Sequence, residues 1–309
     1  MRCNLRSIGI KPVGFTKIHN GSCNGIREAI EECLDLIQYQ IPKTAKTVII
    51  KPNLCYYHDH STGQTTDPAF IGALIETIRT KNSGTPNISI VESDASAMKC
   101  KHAFHFLGYE ALAKKYNVRL VNLSEEKSAK EQVTICGHKL TFSVPNIIRE
   151  ADLRINVPKI KYMNFVTISC AMKNLYGCNP FPLKYKFHTW LSESIVAISK
   201  LMNFDLHILD GIVMLGAFPR RMNLVVASED PVALDSAASK IAGQNPNKIK
   251  YLYLAQKEGL GRIEHVSIGM NPKTFQRSFP IIEKTLNPIS LAANIYTRTR
   301  SRIIRNKKM

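Results

Sequence analysis

A short apolar run without polar alternation covers residues 47–50, and stretches of helical periodicity separate it from further predicted strands at 87–91 and 153–157. A run of this kind suits a strand buried on both faces, as in a parallel sheet. After this run, apolar residues at 70, 71, 74, 75 and 78 follow helical spacing. This alternation predicts βαβ units, and therefore an α/β fold with a mainly parallel, twisted sheet flanked by helices.

The same patterns extend over most of the chain. Further strands are predicted at residues 7–13, 118–123, 206–209, 223–227 and 265–268, and further helices at 26–37, 102–116, 191–202, 232–241 and 247–257. Residues 132–135 and 139–143 flank Gly137 and predict an antiparallel hairpin insertion. No low-complexity linker interrupts the body. We therefore expect a single α/β domain over residues 1–280, followed by a basic tail at 281–309.

Two predicted strands lead towards the same dipeptide. Asp67-Pro68 comes after the strand at 47–50, and Asp230-Pro231 comes after the strand at 223–227. In each pair, Asp can cap the free N–H groups of a helix and Pro fits its first position. Capping alone explains both pairs, although helix N-termini at the carboxyl edge of a sheet also bind anions.

The formal net charge of +18 favours acidic partners, which are nucleic acid, an anionic lipid surface, or a phosphorylated or carboxylated small molecule. Part of this charge lies in the tail, where no acidic residue follows Glu283. Apolar residues there are interspersed with Lys and Arg, and they predict a basic, partly amphipathic helix over 289–305. Such a helix could contact an anionic membrane weakly. The alternative interpretations of this tail are a helix docked on the body of the protein and a disordered end.

The cysteines favour a reducing compartment. All eight lie far apart and form no C-x-x-C pair, as expected of thiols in a cytosolic protein. The first 15 residues are interrupted by polar and basic side chains and lack the apolar core of a signal peptide. No run of about 18 apolar residues predicts a membrane span. We therefore expect a cytoplasmic protein that could reach a membrane surface through its tail.

Polar residues cluster where the predicted buried strands end. These residues are Lys51 and Asn53, Glu92 and Ser93, Lys159 and Lys161, Asp210, and Asp230. Ligands of open α/β sheets bind outside the carboxyl ends of the strands. We therefore expect Asn53, Glu92, Asp210 and Asp230 to gather at one edge of the sheet.

A second group of candidates lies in the long segment between two predicted strands. Lys173-Asn174 and His188 occur there, where binding loops are expected. His188 suits general acid–base chemistry near neutral pH, although a single His is also a common cap or packed side chain. Lys173, His188 and Asp210 are the candidate catalytic residues. Asp210 and Glu92 are each a candidate base, metal ligand or partner of a lysine.

Several blocks, in this order, resemble the family catalogued as domain of unknown function 362. The resemblance runs from about residue 47 to residue 261. Its blocks are residues 47–54, 65–68, 90–94, 155–161 and 171–177, His188, residues 209–212, and residues 227–235. The family name implies no general activity, but Thr66 and the strand-end residues all fall within these blocks. Lys51, Lys159, Lys161 and Lys173 also do, and they are expected to converge on one cavity around a phosphate or carboxylate. The alternative interpretation is that each of these lysines is a solvated surface charge, as most single lysines are.

The chain departs from the family pattern at three places. Some members carry a ferredoxin-like segment, but no closely spaced cysteine run follows Gly261 here, so a ferredoxin-type cluster is not expected. Tyr162-Met163 stands where members often have Thr-His. Phe218-Pro219 followed by Arg220-Arg221 stands where members tend to have Gly-Pro. These changes leave open whether the chain binds the ligand of its relatives.

No other motif identifies a cofactor, and the sequence leaves its identity open. Cys55, His58 and His60 form the most metal-like local cluster, yet no second pair of ligands at familiar spacing completes a zinc site, and a surface loop is the preferred interpretation. His102 and His105 on one helical turn are interpreted in the same way. Neither a P-loop, a strand-linked G-x-G-x-x-G nor a G-x-S-x-G element is present.

The function best supported by the sequence is binding of an anionic small molecule at the carboxyl edge of the sheet, with catalysis left open. One alternative is a nucleic-acid or other polyanion binder, favoured by the net charge of +18 but lacking a recognition motif. The other is a ligand-binding or redox-accessory protein without turnover. A polar cleft would favour the first or third function, whereas a continuous basic surface would favour the second.

Overall fold

Buried apolar runs form the parallel centre of a mixed sheet. The computed structural model describes residues 10–163 and 165–280. Its central strands are β2 (Thr47–Pro52), β3 (Asn87–Glu92), β4 (Arg119–Asn122) and β7 (Leu153–Val157). They lie in the order β7-β2-β3-β4, and every neighbouring pair is parallel. The predicted α/β fold with its mainly parallel centre is confirmed.

On the other side of β7, the sheet also contains antiparallel strand pairs. The strands there are β1 (Val13–Lys17), β10 (Leu206–Leu215), β11 (Pro219–Ser228) and β12 (Ser267–Gly269). The order continues from β7 through β10, β11 and β1 to β12. β10 is parallel to β7, but β11 is antiparallel to both β10 and β1. The short strands β8 (Lys161–Met163) and β9 (Thr167–Ser169) pair with each other, and β8 also pairs with the end of β10.

Helices cover both faces of this sheet. One face packs against α1 (Cys23–Leu36), α2 (Pro68–Lys81), α3 (Cys100–Phe106) and α4 (Tyr109–Tyr116). The other faces α6 (Ala171–Leu175), α7 (Leu191–Met202), α8 (Pro231–Ile241), α9 (Lys250–Lys257) and α10 (Pro272–Ser278). The short helix α5 (Asn146–Arg149) precedes β7, and 3-10 turns occur at His60–Thr62, Tyr176–Cys178, Lys184–Trp190 and Pro246–Lys248. Successive residues of one strand, such as Val48 and Ile49, belong to separate hydrophobic cores because their side chains point to opposite faces of the sheet.

Local sequence rules explain several boundaries. The Asp67 side chain accepts a hydrogen bond from the Ala69 N–H at the start of α2, and Asp230 accepts from the N–H groups of Val232 and Ala233 at the start of α8. Both predicted caps are confirmed. The predicted hairpin consists of β5 (Ser128–Ile135) and β6 (His138–Pro145). Its two-residue turn has φ of 46° at Cys136 and 84° at Gly137, as a type I′ turn requires.

Three predicted boundaries are wrong. The first observed strand begins at Val13, where the predicted strand at 7–13 was to end; residues 7–9 lie outside the described residues. The helix predicted over 102–116 is two helices, because Gly108 takes φ of 78° and interrupts the chain between α3 and α4. β10 continues past Asp210 to Leu215 through an irregularity after Gly211, since pairing with β11 supplies hydrogen bonds beyond the predicted end.

Candidate functional site

A cavity of about 330 Å³ lies at the carboxyl ends of the parallel strands β2 and β3. Its lining includes eight of the sequence-predicted site residues, counted over the described part of the chain: Lys51, Asn53, Glu92, Ser93, Lys161, Lys173, Asn174 and His188. The parallel direction of these strands brings Asn53 and Glu92 to one edge, as expected from the sequence.

A buried ion pair forms one wall. The Lys51 Nζ lies 2.7 Å from Oε2 of Glu92, and both side chains are almost inaccessible, at 1% and 6% exposure. Lys51 also donates to the Pro52 carbonyl at 2.6 Å. The Glu92 carboxylate accepts further hydrogen bonds from the N–H groups of Ser93, at 2.9 Å, and Leu54, at 3.3 Å. Glu92 is therefore fully committed to its neighbours and neutralises Lys51.

A chain of amides lies beside this pair. The Asn53 Nδ2 donates to Asn174 Oδ1 at 2.8 Å, and Asn174 Nδ2 donates to Asn156 Oδ1 at 2.7 Å. The Asn156 Nδ2 lies 3.0 Å from Nδ1 of His207. Burial lowers the pKa of His207 to about 3, so its ring is neutral and can accept at this nitrogen. The network fixes Asn53 with its Oδ1 available to a cation.

Lys161 takes that position. Its Nζ donates to Asn53 Oδ1 at 2.8 Å, to the Gln64 carbonyl at 3.1 Å and to Cys55 Sγ at 2.9 Å. The strand pair β8–β9 holds the backbone of Lys161 opposite Ser169. None of these three acceptors is a carboxylate, so the positive charge of Lys161 adds to the electrostatic potential of the cavity.

Lys173 reaches the cavity from the short helix α6. The first N–H groups of this helix, from Ala171 and Met172, donate to the Asp235 carboxylate at 2.5 Å and 3.2 Å. The Lys173 Nζ lies 4.5 Å from the centroid of the Tyr176 ring. Within the described residues, no carboxylate pairs with it. Burial, followed by the positive charges of Lys161 and other nearby lysines, lowers the pKa of Lys173 to about 8.

Lys184 is a cavity residue that the sequence did not reveal. Its Nζ donates to Ser93 Oγ at 2.6 Å and to the Gly177 carbonyl at 3.3 Å, and Ser93 Oγ also donates to that carbonyl. Burial lowers the pKa of Lys184 to about 8, against the opposing effect of Glu92. Lys184 lies in a 3-10 turn rather than at a strand end. The expectation that ligand-binding residues follow the carboxyl ends of strands therefore did not predict it. The alternation of Lys and aromatic residues over 184–188 is the one available signal.

Two further residues define the shape of the cavity. His188 lies at its rim with its ring 6.1 Å from that of Phe165, and partial burial and the charge of Lys173 lower its pKa. Gly177 lies against the ion pair, because a Cβ there would come within 3.2 Å of both Glu92 Oε1 and Lys51 Nζ. Any larger residue would press on the two buried charges.

Lys159 and Asp210 do not line the cavity. They form a separate ion pair, with Lys159 Nζ 3.2 Å from Asp210 Oδ2 and both side chains at most 1% exposed. Asp210 also accepts from the N–H groups of Asp67, at 2.8 Å, and Ile212, at 3.0 Å. Burial lowers the pKa of Lys159, and Asp210 opposes this. The expectation that Lys159 joins the other lysines is wrong, because the buried carboxylate of Asp210 holds it elsewhere.

Asp230 and Thr66 also lie outside the cavity lining. β11 is antiparallel to β10, so its carboxyl end, with Asp230, lies at the opposite edge of the sheet. There Asp230 caps α8 and accepts from the Arg262 N–H at 2.9 Å, and the prediction of a shared edge is wrong for this residue. The Thr66 Oγ1 accepts from Asn53 N at 2.8 Å and donates to the Val157 carbonyl at 3.0 Å. Thr66 therefore holds the backbone of Asn53 next to the end of β7 without lining the cavity.

The histidine-rich loop after β2 does not gather metal ligands. Over residues 10–163 and 165–280, no three side chains of His, Cys, Asp or Glu approach closely enough to hold a metal ion. The His60 ring lies 3.4 Å from Asp59 and 3.6 Å from Asp67 instead. His105 pairs with Glu110 at 2.8 Å, and His102 stacks on Phe106 at 5.9 Å between ring centroids.

The tail at 281–309, with its predicted helix over 289–305, lies outside the described residues. In the part of the chain that is described, none of the helices combines the length and apolar character needed to cross a bilayer.

A protein-family comparison matches the segment that builds this cavity. The model of the family described as "Domain of unknown function (DUF362)" matches residues 48–240. The chain belongs to this family. Every cavity residue named above lies within the matched segment. The chain is also similar to a thylakoid-associated protein of Synechocystis sp., with 25% identity over 252 residues that cover 77% of this chain and 73% of that relative.

Two solved structures show weaker likeness. One is the lactate racemase apoprotein from Thermoanaerobacterium thermosaccharolyticum, with 14% identity and a TM-score of 0.42 over 75% of this chain. The other is a protein from Thermotoga maritima, with 11% identity and a TM-score of 0.32 over 61% of this chain. The chain spans 57% and 50% of their respective lengths.

Proposed function

We propose that this cavity binds a small anionic molecule, bearing a phosphate or carboxylate, between Lys161, Lys173 and Lys184. The supporting observation is the imbalance of charge around the cavity. Glu92 is the one carboxylate among the described lining residues, and it is already paired with Lys51. The other three lysines contact only neutral groups. A bound anion would supply the missing counter-charge.

The lowered pKa values of Lys173 and Lys184 support this proposal. Each side chain is half-buried, and desolvation beside other cations makes the charged form of its ammonium group costly. An anion placed among them would stabilise the charged forms and raise both pKa values. Binding should therefore take up protons near pH 8, and affinity should fall as the pH rises through about 8.

Isothermal titration calorimetry with sulfate tests this proposal, because the charge of sulfate does not change near neutral pH. Lys173→Met should weaken binding roughly tenfold to a hundredfold, the loss expected for a hydrogen bond between charged groups. Lys173→Arg should retain binding at alkaline pH because guanidinium stays protonated. The control is Lys257→Met, which removes the same charge from an exposed helix position. Equal effects of Lys173→Met and Lys257→Met would show that general surface charge, not this cavity, attracts sulfate.

A second candidate function is proton transfer on the bound molecule. A pKa of about 8 leaves a fraction of Lys173 neutral at physiological pH, and His188 shares the cavity rim. Asp210 has no part in this function, because it is buried outside the lining. The test is deuterium incorporation from D₂O at C3 of a panel of 2-oxo carboxylic acids, followed by proton NMR. Incorporation that is absent with the native chain, or unchanged in Lys173→Met, would contradict this function.

A further inference from the structure

Charged and apolar side chains line the cavity together. Lys51 and Lys161 are buried, at 1% and 8% exposure, whereas Lys173 and Lys184 are half-buried. Leu54, Met98, Met163 and Leu191 also line it and offer no hydrogen-bonding groups on their side chains apart from weakly accepting sulfur. Tyr56, Phe165 and Tyr185 complete the lining, and each has about half of its surface exposed. We name these three the aromatic rim.

Exposed apolar side chains concentrate around this opening. Nine large apolar residues are exposed in the described part of the chain, and three of them form the aromatic rim. Two more, Phe181 and Leu183, precede Lys184 and Tyr185 on the same segment. The Ser96 hydroxyl, at the cavity wall, donates to the Pro182 carbonyl at 3.3 Å and places this segment at the opening. Contiguous exposed apolar surface of this kind marks binding sites in soluble domains.

The backbone holds part of the rim in an unfavourable conformation. Tyr56 and Tyr57 have φ of 57° and 58°, in the left-handed region that bulky residues avoid. The Tyr57 side chain is anchored, since its hydroxyl accepts from Lys99 N at 2.6 Å and its ring lies edge-on to Phe106. Tyr56 makes no such contact with the described residues and is 55% exposed beside the cavity. Strained residues persist where the surroundings over-determine them, and they cluster at ligand sites.

We propose that the molecule bound here is an anionic amphiphile, with its phosphate or carboxylate at the lysines and its apolar tail against the aromatic rim. This proposal rests on the anion-binding function proposed above and specifies the ligand class. A fully polar metabolite would leave the apolar walls and the rim without a role. A cavity of about 330 Å³ is at the lower end of small-molecule sites, so it holds the head and the first part of a tail. The rest of the tail lies over the exposed rings.

The experiment compares alkyl phosphates that share one head group. Methyl, butyl and octyl phosphate are titrated below their micelle concentrations into the full chain, with octanol as the uncharged counterpart. Affinity should rise from methyl to octyl phosphate by about fourfold per methylene that becomes buried. Octanol should bind at least tenfold more weakly than octyl phosphate, because it lacks the charge that the lysines contact.

Variants separate the tail from the head. Phe165→Ala combined with Tyr185→Ala should weaken octyl phosphate at least tenfold and leave methyl phosphate unchanged. Tyr253→Ala, which removes an equally exposed ring from α9 outside the lining, should change neither. Equal affinity for methyl and octyl phosphate would overturn the amphiphile proposal and leave anion binding intact. Equal affinity for octanol and octyl phosphate, or binding of no phosphate at all, would overturn the anion-binding function itself.

Discussion

Replacing Glu92 by Gln removes the counter-ion of Lys51 with almost no change in shape. The two charged groups are 2.7 Å apart, which corresponds to roughly 6 kcal/mol of attraction at an effective dielectric constant of about 20. The pair is buried, so removing one partner leaves Lys51 either charged without compensation or forced to release its proton. Breaking a buried pair in this way costs about 3–5 kcal/mol. We expect the lower end, about 3 kcal/mol, because Gln keeps an oxygen that can accept from Ser93 N.

Differential scanning calorimetry measures this effect. About 3 kcal/mol corresponds to a Tm decrease of roughly 6–12 °C at the 2–4 °C per kcal/mol typical of chains of 150–250 residues, and somewhat less for this longer chain. Glu131→Gln is the matched control, since its carboxylate lies 2.6 Å from Arg149 but both side chains are about 40% exposed. Exposed pairs contribute about 0–1 kcal/mol, so the Tm of this control should barely change.

The double variant Lys51→Met with Glu92→Gln completes the cycle. Without Lys51 no uncompensated cation remains, so the double variant should be more stable than Glu92→Gln alone. Sulfate affinity should not fall in Glu92→Gln, because the cavity loses a negative charge. If Glu92→Gln lowers the Tm no more than Glu131→Gln does, the assignment of a buried, mutually dependent ion pair is refuted.

Three further outcomes follow from the same geometry. Asp210→Asn strands Lys159 without its counter-ion and should cost about 3–5 kcal/mol in calorimetry, yet sulfate titration should give an unchanged affinity; weaker binding would place Asp210 in the site after all. Gly177→Ala adds a methyl group within 3.2 Å of the Lys51–Glu92 pair and should lower the Tm by overpacking and weaken sulfate binding; wild-type values for both would exclude the close contact. Burial raises the pKa of Asp235 from 3.8 to about 7, so its contribution to stability is greatest below pH 3.8 and is lost as the pH rises to about 7. Asp235→Asn lacks this titration, so the Tm of the variant relative to the native chain should increase across that window, whereas parallel profiles would show that Asp235 does not titrate there.

Local rules predicted the elements that depend on nearby residues. The run at 47–50 is apolar on both faces, as expected of a strand covered by two layers, and the strands at 87–91 and 153–157 were predicted from their spacing between helical stretches. The Asp–Pro pairs cap the helices that they precede, because the hydrogen bonds involved span two or three residues. Cys136-Gly137 forms its turn for the same local reason.

The residues at the ends of two of these parallel strands, β2 and β3, were therefore placed correctly. Asn53 and Glu92 come at the ends of β2 and β3, and both meet at one cavity. Lys159 and Lys161, only two positions apart, separate because β7 ends at Val157 and β8 begins at Lys161. Each lysine then contacts a different set of acceptors, and sequence spacing contains no information about that choice.

Strand direction in the second half of the chain depended on the tertiary structure. The run at 223–227 reads like its parallel counterparts, but pairing with β10 makes it antiparallel and carries Asp230 to the far edge. The sequence by itself determined which segments are strands and helices, since periodicity and capping act over a few residues. Only the tertiary structure decided which charged groups meet. Lys184 lines the same cavity as Lys51, Lys161 and Lys173 because of contacts between residues more than 80 positions apart. The hydrogen bond from Lys184 to Ser93 is one of these contacts. Those contacts form only when the carboxyl ends of β2 and β3, helix α6 and the segment that carries Lys184 come together, and this condition belongs to the folded chain rather than to any segment of it.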